Sequence, residues 1–397
     1  MAEAMNYIDR LVAELCPDGV DFYTIDELIT LDFGTRITKS KDAGTIYPVY
    51  GGGGASFRTD NYNREDKYVV SRFAMSEKCV RYVSGKFWML DSGFTYSVKD
   101  ESLLSYKYIS YWLLNAQQEI YACSSQSAQR NLKTAEFKRF EVPVPPMEIQ
   151  EAIVEILDKF TNLEAELEAE LEARTLQYEY YRDSLFEALD CPRVPLGELG
   201  KFYGGLKGKT KNDFGSSGAR YISYKNVYEN ISADFTWPDF VQVKEGENQL
   251  SLMKGDILLT GSSENMEESG LSSVVTKEPE EKAYLNSFSI CYRLNDPSIL
   301  NPEFSKYLFR SRLARKQIIR TAQGVTRFNV SKKKLANVSI PIPSLEEQQR
   351  IVDILDRFDA LTSSLSEGLP AELAARRSQY EYYRDQLLSF PRKGENQ

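Results

Sequence analysis

PVPPMEIQEAIVEILDKF, residues 143–160, opens a stretch that closes with QYEYYRDSLFEAL at residues 177–189, and its reading decides the fold. Pro143, Pro145 and Pro146 cannot extend a helix from upstream, so a helix starts cleanly behind them. Ile153, Ile156, Phe160, Leu163 and Leu167 then recur in alternating steps of three and four, the spacing of a coiled-coil seam. Leu171 follows after a second step of four, a stutter that relaxes supercoiling. Tyr178, Tyr181 and Leu185 resume the stripe. The centre is a tandem repeat in which Leu163, Leu167 and Leu171 begin the units LEAE, LEAE and LEAR. The spacing predicts one rod of roughly 60 Å at about 1.5 Å per residue.

An imperfect copy lies near the C-terminus: PIPSLEEQQRIVDILDRF at residues 341–358 and QYEYYRDQLLSF at 379–390. The hexapeptide YEYYRD at 178–183 recurs letter for letter at 380–385. The second stripe runs Ile351, Ile354, Phe358, Leu361, Leu365, Leu373, Tyr380 and Tyr383. One narrow apolar stripe needs a covering partner, and the copy supplies it. Phe160 to Tyr178 is eighteen residues and Phe358 to Tyr380 twenty-two, an extra turn that contains Gly368 and Pro370. Gly suits a helix C′ position and Pro a first helical position, which predicts a break near residues 368–370. An uninterrupted second rod is the alternative.

Outward from the rods, the chain repeats itself. A short helix from Tyr7 to Leu15 precedes Cys16-Pro17, as Leu185 to Leu189 precedes Cys191-Pro192. Each is followed by a strand-like segment with Glu-Leu, at residues 25–28 and 196–199. Phe33-Gly34 with the run 39–42 matches Tyr203-Gly204 with 209–212, and Lys107-Tyr108-Ile109 matches Lys306-Tyr307-Leu308 at the head of an amphipathic helix. Gln126, Arg130 and Asn131 match Gln323, Arg327 and Asn329. The growing offset puts about 28 extra residues in the second segment, expected within 239–281. Strand-like runs at 68–70, 257–259 and 289–292, with helices at 105–122 and 302–319, make each segment a compact α/β globule.

The order is short helix, globule, rod, globule, rod, and the pattern closes smoothly if the ends are joined. The expected class is α+β: two α/β globules separated by two long antiparallel helices forming a coiled coil, with a pseudo-twofold internal repeat. The segments are 1–31 (N-terminal helix), 32–140 (first globule), 141–192 (central helical region), 193–340 (second globule) and 341–397 (distal helical region).

The formal net charge of −9 conceals a division. The globules carry +5 and +6, and the three helical segments −6, −11 and −3. Residues 306–334 hold Lys306, Arg310, Arg312, Arg315, Lys316, Arg320, Arg327, Lys332, Lys333 and Lys334 with no Asp or Glu. Phosphates are natural counter-ions for such a surface. Interleaved Asn and Gln can read adenine and Arg can read guanine. The candidate DNA contacts are Arg36, Lys39, Lys41, Gln126, Arg130, Asn131 and Lys133 in the first globule. In the second they are Lys207, Lys209, Lys211, Arg320, Gln323, Arg327, Asn329, Lys332, Lys333 and Lys334.

Other chemistry finds little support. No histidine is present, which removes Ser-His-Asp triads and His-based metal sites. Cys16, Cys79, Cys123, Cys191 and Cys291 are odd in number and lack a CxxC, so they read as reduced thiols. No apolar run reaches eighteen residues and no signal-peptide pattern opens the chain, which predicts a cytoplasmic protein without a membrane span. Residues 51–54 are four glycines without a following GK[ST], so a turn or DNA-facing loop is expected, and 204–210 has the wrong count for a P-loop. Asn301-Pro302-Glu303-Phe304 reads as a helix cap with Pro at the first helical position. Alternating carboxylates of the LEAE units point in different directions and form a solvated face, not a metal site.

Two globules alternating with two near-identical helical regions, YEYYRD ending each rod, and four-residue LEAE units resemble the specificity subunits of type I restriction–modification enzymes, in particular the subclass with tetrapeptide repeats. The resemblance implies that each globule is a target-recognition domain reading half of a bipartite site on double-stranded DNA. It implies that Leu163, Leu167 and Leu171 begin the units of a spacer ruler. It further implies that Tyr178, Tyr181, Tyr380 and Tyr383 belong to docking surfaces for two modification (methyltransferase) subunits, with restriction–translocase subunits joining them. Catalysis, S-adenosylmethionine, ATP and Mg would then belong to those partners, and this chain would be no enzyme. The MEIQEAI opening of the first rod departs from LEEQQRI in the second, so the two docking surfaces need not be equivalent. An acidic coiled-coil scaffold or DNA mimic is the competing reading; it leaves the basic run 306–334 without a purpose. A stand-alone methyltransferase or nuclease would need cofactor loops that the sequence lacks.

Overall fold

Two compact units divide the chain in a computed structural model that describes residues 2–363 and 368–394. The first unit comprises Met1–Glu168 and Glu372–Gln397, the second Ala169–Ala371. The central rod is one helix, Met147–Glu187. The distal region is two helices, Leu345–Ser363 and Leu369–Leu387. Residues 364–367, including Leu365 of the expected stripe, lie outside the described residues. The second distal helix thus begins where Gly368 and Pro370 predicted a break. Gly368 stands just before it, and a Cβ there would meet the carbonyl oxygens of Ala360 and Leu361 at 2.6 and 2.7 Å.

The first unit contains a six-stranded sheet in the order Ile29–Phe33, Gly93–Val98, Arg64–Ser71, Val80–Met89, Tyr47–Gly51, Gly54–Thr59. Only the pair Tyr47–Gly51 with Val80–Met89 is parallel. The second unit has a sheet in the order Gly200–Gly204, Ser289–Leu294, Ile257–Thr260, Ser272–Val274, antiparallel throughout. This is the order and sense of the first four strands of the first unit. Ile257, Leu258 and Leu259 are all fully buried. Side chains alternate across a strand, so Ile257 and Leu259 enter one core with Phe304 and Tyr307, while Leu258 enters another with Cys291. No helix among the described residues is long and apolar enough to cross a membrane.

Several expectations are corrected. Ile25–Leu28 and Leu196–Leu199 are single helical turns, not strands. In the first, the Thr24 hydroxyl and Glu27 carboxylate cap each other's main chain, a capping box that overrides the β-branched residues. The helix read over 105–122 is Tyr106–Asn115 plus Gln117–Ala122, and that over 302–319 is Pro302–Leu308 plus Arg312–Ile319, the latter restarted by an N-cap at Ser311.

The repeat is real but slipped relative to the sequence match. Gly34 pairs structurally with Gly205, not Gly204: at each, a Cβ would strike carbonyl oxygens, those of Met89 and Leu90 or of Leu285 and Asn286. The helix caps Ser105 and Asn301 correspond, which sets Tyr111 against Tyr307 and shifts the Lys-Tyr match by three residues. Three residues is nearly one turn, so a slipped Lys-Tyr pair still falls on the same face. Gly34 and Gly205 are 171 positions apart, Ser105 and Asn301 196, and Gln150 and Gln348 198, so the second unit carries 27 extra residues against the 28 expected, 25 of them before Asn301. Ser71 and Thr260, which hold equivalent ladder positions, are 189 apart, so 18 of those 25 lie between Gly205 and Thr260 and 7 between Thr260 and Asn301, a span that contains the expected 239–281.

One polar device recurs in full. Gln150, with no exposed surface, donates to the carbonyls of Leu103 (2.9 Å) and Pro145 (2.7 Å) and accepts from the Ser105 amide (2.9 Å). Gln348, equally buried, donates to Ile299 (2.9 Å) and Pro343 (3.0 Å) and accepts from Asn301 (2.7 Å). Each amide ties a rod to its globule by satisfying main-chain groups that burial would otherwise leave unpaired. The Tyr111 phenol donates to Asp158 (2.7 Å) and the Tyr307 phenol to Asp356 (2.6 Å). Burial and then the adjoining carboxylate raise both phenols, which therefore stay protonated.

The rods are gripped by aromatic contacts within each unit. Phe160 meets Tyr380 and Tyr383 at 5.9 and 5.8 Å, and Phe358 meets Tyr178 and Tyr181 at 6.5 and 5.5 Å. Ile153, Ile156 and Phe160 are buried, as the seam predicts, but Leu163 is 47% exposed. Leu167 and Leu171, further along the same stripe, are half-buried. In the first unit the Val20 amide donates to the Pro391 carbonyl (3.0 Å) and the Lys393 amide to the Val20 carbonyl (3.1 Å), so the segment behind the N-terminal helix pairs with the segment behind the last helix.

Candidate nucleic-acid interface

In the first unit, four chain segments converge at one edge of the sheet. The Gly34 amide donates to the Gly93 carbonyl, and Thr35 to Met89. Arg72 and Phe73 both donate to Ser92, Leu132 donates to Arg72, and Met75 to Arg130. The glycine run forms the tight turn of the hairpin Tyr47–Gly51/Gly54–Thr59, and the Gly52 amide donates to the Ser92 hydroxyl. The turn expected at 51–54 is therefore present, on this same edge. Of the expected contacts in this unit, Arg36, Lys39, Lys41, Gln126 and Lys133 are exposed. Arg130 lies over the Tyr121 ring (4.5 Å), and Lys133 is paired with Glu136 at the surface (3.1 Å). Asn131 is half-buried, and its Oδ1 has no hydrogen-bond partner among the described residues.

The second unit builds the same edge from equivalent segments. The Gly261 amide donates to the Phe288 carbonyl, Val330 donates to Gly261, and Ser262 and Ser263 lie opposite Asn329 and Phe328. Val330 therefore matches Leu132, so Asn329 matches Asn131 as expected, while Arg130 falls at Phe328 and not at Arg327. Arg320, Gln323, Arg327, Asn329, Lys332, Lys333 and Lys334 are all exposed, as are Lys207 and Lys211. The Lys332 ammonium reaches over Gly204, where a Cβ would lie 3.5 Å away. A cleft of about 640 Å³ opens beside the 323–329 loop, lined by Tyr224, Tyr228, Ser262, Asn265, Phe288 and Arg327 among others.

Charge is where the structure most changes the sequence reading. Four of the ten basic residues in 306–334 serve the fold. Lys306 bridges Glu303 (2.6 Å) and Asp356 (3.1 Å). Arg310 donates to the carbonyls of Ser272, Val227, Tyr228 and Asn230, and Arg315 to those of Glu267, Ser269 and Gly270. Burial lowers both guanidinium pKa values to about 10. Arg312 pairs with Glu187 at 2.8 Å. The sequence lacked Asp and Glu in this run because the partners lie elsewhere in the chain or are main-chain oxygens. Lys209 is a further correction: its side chain is 5% exposed and pairs with Glu247 at 2.6 Å, so it cannot meet a phosphate. The Lys209 ammonium, followed by the Lys244 amide, holds the Glu247 carboxyl below its usual range.

Sequence reasoning missed Arg72, whose guanidinium lies over Phe33 (5.0 Å) and Phe73 (4.6 Å) at the centre of the first edge. It also missed Phe288, 63% exposed at the centre of the second. For Arg72 the available signal was an aromatic, Phe73, beside a basic residue outside any charge run; Phe288, between two serines, carried no such signal. The rod tyrosines divide into inward and outward rings. Tyr178, Tyr380 and Tyr383 are half-buried against the phenylalanines, and burial raises the Tyr178 phenol to about 12. Tyr181, 43% exposed, stacks on Phe358. The outward rings are Tyr180 (69% exposed) and Tyr382 (60%), at the same position of the two hexapeptides.

Comparison with known proteins returns one family. A family model described as "Type I restriction modification DNA specificity domain" matches residues 17–173 and again 191–375. The specificity subunit of the Escherichia coli type I restriction enzyme EcoR124I/EcoR124II is 30% identical over 98% of each chain. Among solved structures, the S subunit of a type I restriction–modification system from M. genitalium aligns with a TM-score of 0.54 at 19% identity, covering 93% of this chain and 96% of that one. A chain from a type I system solved for its complex assembly and conformational transition aligns with a TM-score of 0.61 at 14% identity, covering 94% and 98%.

Proposed function

The chain belongs to the family of type I restriction–modification specificity subunits, and from that premise we propose that its two sheet edges each read one half of a split target on double-stranded DNA. It is a non-catalytic DNA-recognition subunit. The observation that carries the assignment of the edges is the duplicated convergence of segments: Gly34, Arg72, Ser92 and Asn131 in one unit, Gly205, Gly261, Phe288 and Asn329 in the other. Exposed Arg and Lys around each edge neutralise phosphates and fix register, which carries no sequence information by itself. Base choice falls to the side chains at the centre. Asn329, which is exposed, suits adenine, and Arg327 suits guanine. The second unit's aromatic cleft widens the surface that can meet base edges.

The central helix is the spacer ruler in this reading, counted in the units of Leu163, Leu167 and Leu171, with the two rods running antiparallel as a coiled coil under a pseudo-twofold axis. Two modification subunits dock on the YEYYRD segments through Tyr180 and Tyr382, and restriction–translocase subunits complete the assembly in the cytoplasm. S-adenosylmethionine, ATP and Mg chemistry lies in those partners. Sequencing the methylated sites in a host that carries this chain and its partners tests the reading. Two short defined half-sites with a fixed undefined gap are expected; one uninterrupted methylated word would refute it.

A further inference from the structure

Arg377 is the feature of the rods that packing alone does not explain. Its Nε donates to Glu164 Oε1 at 2.6 Å and its Nη2 to Glu168 Oε1. Both carboxylates hold its pKa above the usual range, with Glu164 the larger influence. Glu164 follows Leu163 and Glu168 follows Leu167, so one guanidinium bridges the same position of two successive LEAE units. Residues four apart share a helix face, which turns the repeat into a row of like carboxylates at about 6 Å intervals. Glu172, after Leu171, is the next in that row. The neighbouring Arg376 is occupied within its own helix by Glu372 (3.7 Å) and Gln379 (3.2 Å). One turn from the bridge, Phe160 meets Tyr380 and Tyr383.

A row of identical carboxylates offers more than one seat to a single guanidinium. The adjoining aromatic contact selects the first seat, and the guanidinium locks it. We infer that Arg377 is a positioning residue that fixes the first tetrapeptide units in register on the distal helix, so that the ruler is counted from a fixed origin. A unit removed or added beyond that origin changes length in whole steps and leaves the grip unchanged, because every unit carries the same Glu. This inference rests on the ruler reading above.

The test uses the whole chain assembled with its modification and restriction partners, and methylome sequencing as the readout. In Arg377→Ala, both half-sites should stay as they are. Discrimination between the correct gap and a gap one base pair longer or shorter should fall about 5-fold, equivalent to ~1 kcal/mol for a half-exposed bridge between two carboxylates. The triple exchange Arg377→Glu, Glu164→Arg, Glu168→Arg should restore the single gap, which a general loss of helix stability would not do. Undiminished gap discrimination in Arg377→Ala, or a failure of the triple exchange to restore it, overturns the inference. Deleting residues 167–170 separates the two ideas. If that deletion leaves the gap unchanged the ruler itself fails; if it shifts the gap while Arg377→Ala loosens nothing, only the lock fails.

Discussion

Deleting residues 167–170 from the central helix removes one LEAE unit and changes the spacer in a calculable way. Four residues at 1.5 Å shorten the helix by about 6 Å and, at 100° each, turn everything beyond them by about 40° net of a full revolution. Base pairs are stacked at about 3.4 Å, so the length change equals roughly 1.8 steps. Removing two base pairs from the gap turns one half-site about the duplex axis by about 70° at 10–10.5 base pairs per turn. Length is matched to within about 1 Å and rotation to within about 30°, a twist shared over the whole gap. The helix should survive, because the join brings Leu171 and Glu172 into the places of Leu167 and Glu168, leaving the Arg377 bridge with two carboxylates. The methylated motif should keep both half-sites and lose one or two base pairs of gap. An unchanged gap, or a changed half-site, would refute the reasoning.

The repeated glutamines should act as local structural locks. Gln150→Ala leaves three buried main-chain groups unpaired, at about 1–3 kcal/mol each; hydrogen exchange should rise around residues 103–105 and 145–150 and stay unchanged around 299–301, with Gln348→Ala giving the converse. Lys332→Ala should weaken duplex binding by the assembled complex and lower its salt slope by about one contact, whereas Lys209→Ala should leave the slope unchanged and loosen the segment around Glu247; equal slopes for both variants would dissolve the distinction drawn from their exposure. Tyr180→Ala combined with Tyr382→Ala should reduce co-purification of the modification subunit at least about 10-fold, in line with a pair of aromatic anchors, while Tyr178→Phe should not; the reverse result would return docking to the inward rings. Exchanging Arg327 and Asn329 for alanine should relax the half-site read by the second unit alone, visible as degeneracy in one half of the methylated motif.

The sequence by itself determined the rods, the duplication and the chemical class of the partner. Periodicity at Ile153, Ile156 and Phe160 is a local property, and all three are buried as their spacing required. Prolines 143, 145 and 146 fix the start of the helix through their own geometry, and the first helical residue is Met147. Asn301 caps its helix with Pro302 behind it, as four letters of sequence already said. Gln150 and Gln348 were visible letters without visible purpose, because a buried amide gains meaning only from the carbonyls folded around it.

Only the tertiary structure decided which charges are free. A charge count treats Arg310, Arg315 and Lys332 alike, yet two of them are spent on carbonyls distant in sequence and the third stands in solvent. It also decided the register of the repeat, since Gly34 answers to Gly205 through a close approach of backbones that no run of letters displays. The direction of the YEYYRD tyrosines was equally hidden, because neighbouring residues on a helix point roughly 100° apart and only packing on Phe160 and Phe358 says which of them turns inward. Local spacing and backbone chemistry act over a few residues and can be read from them; desolvation and pairing depend on what the rest of the chain brings alongside.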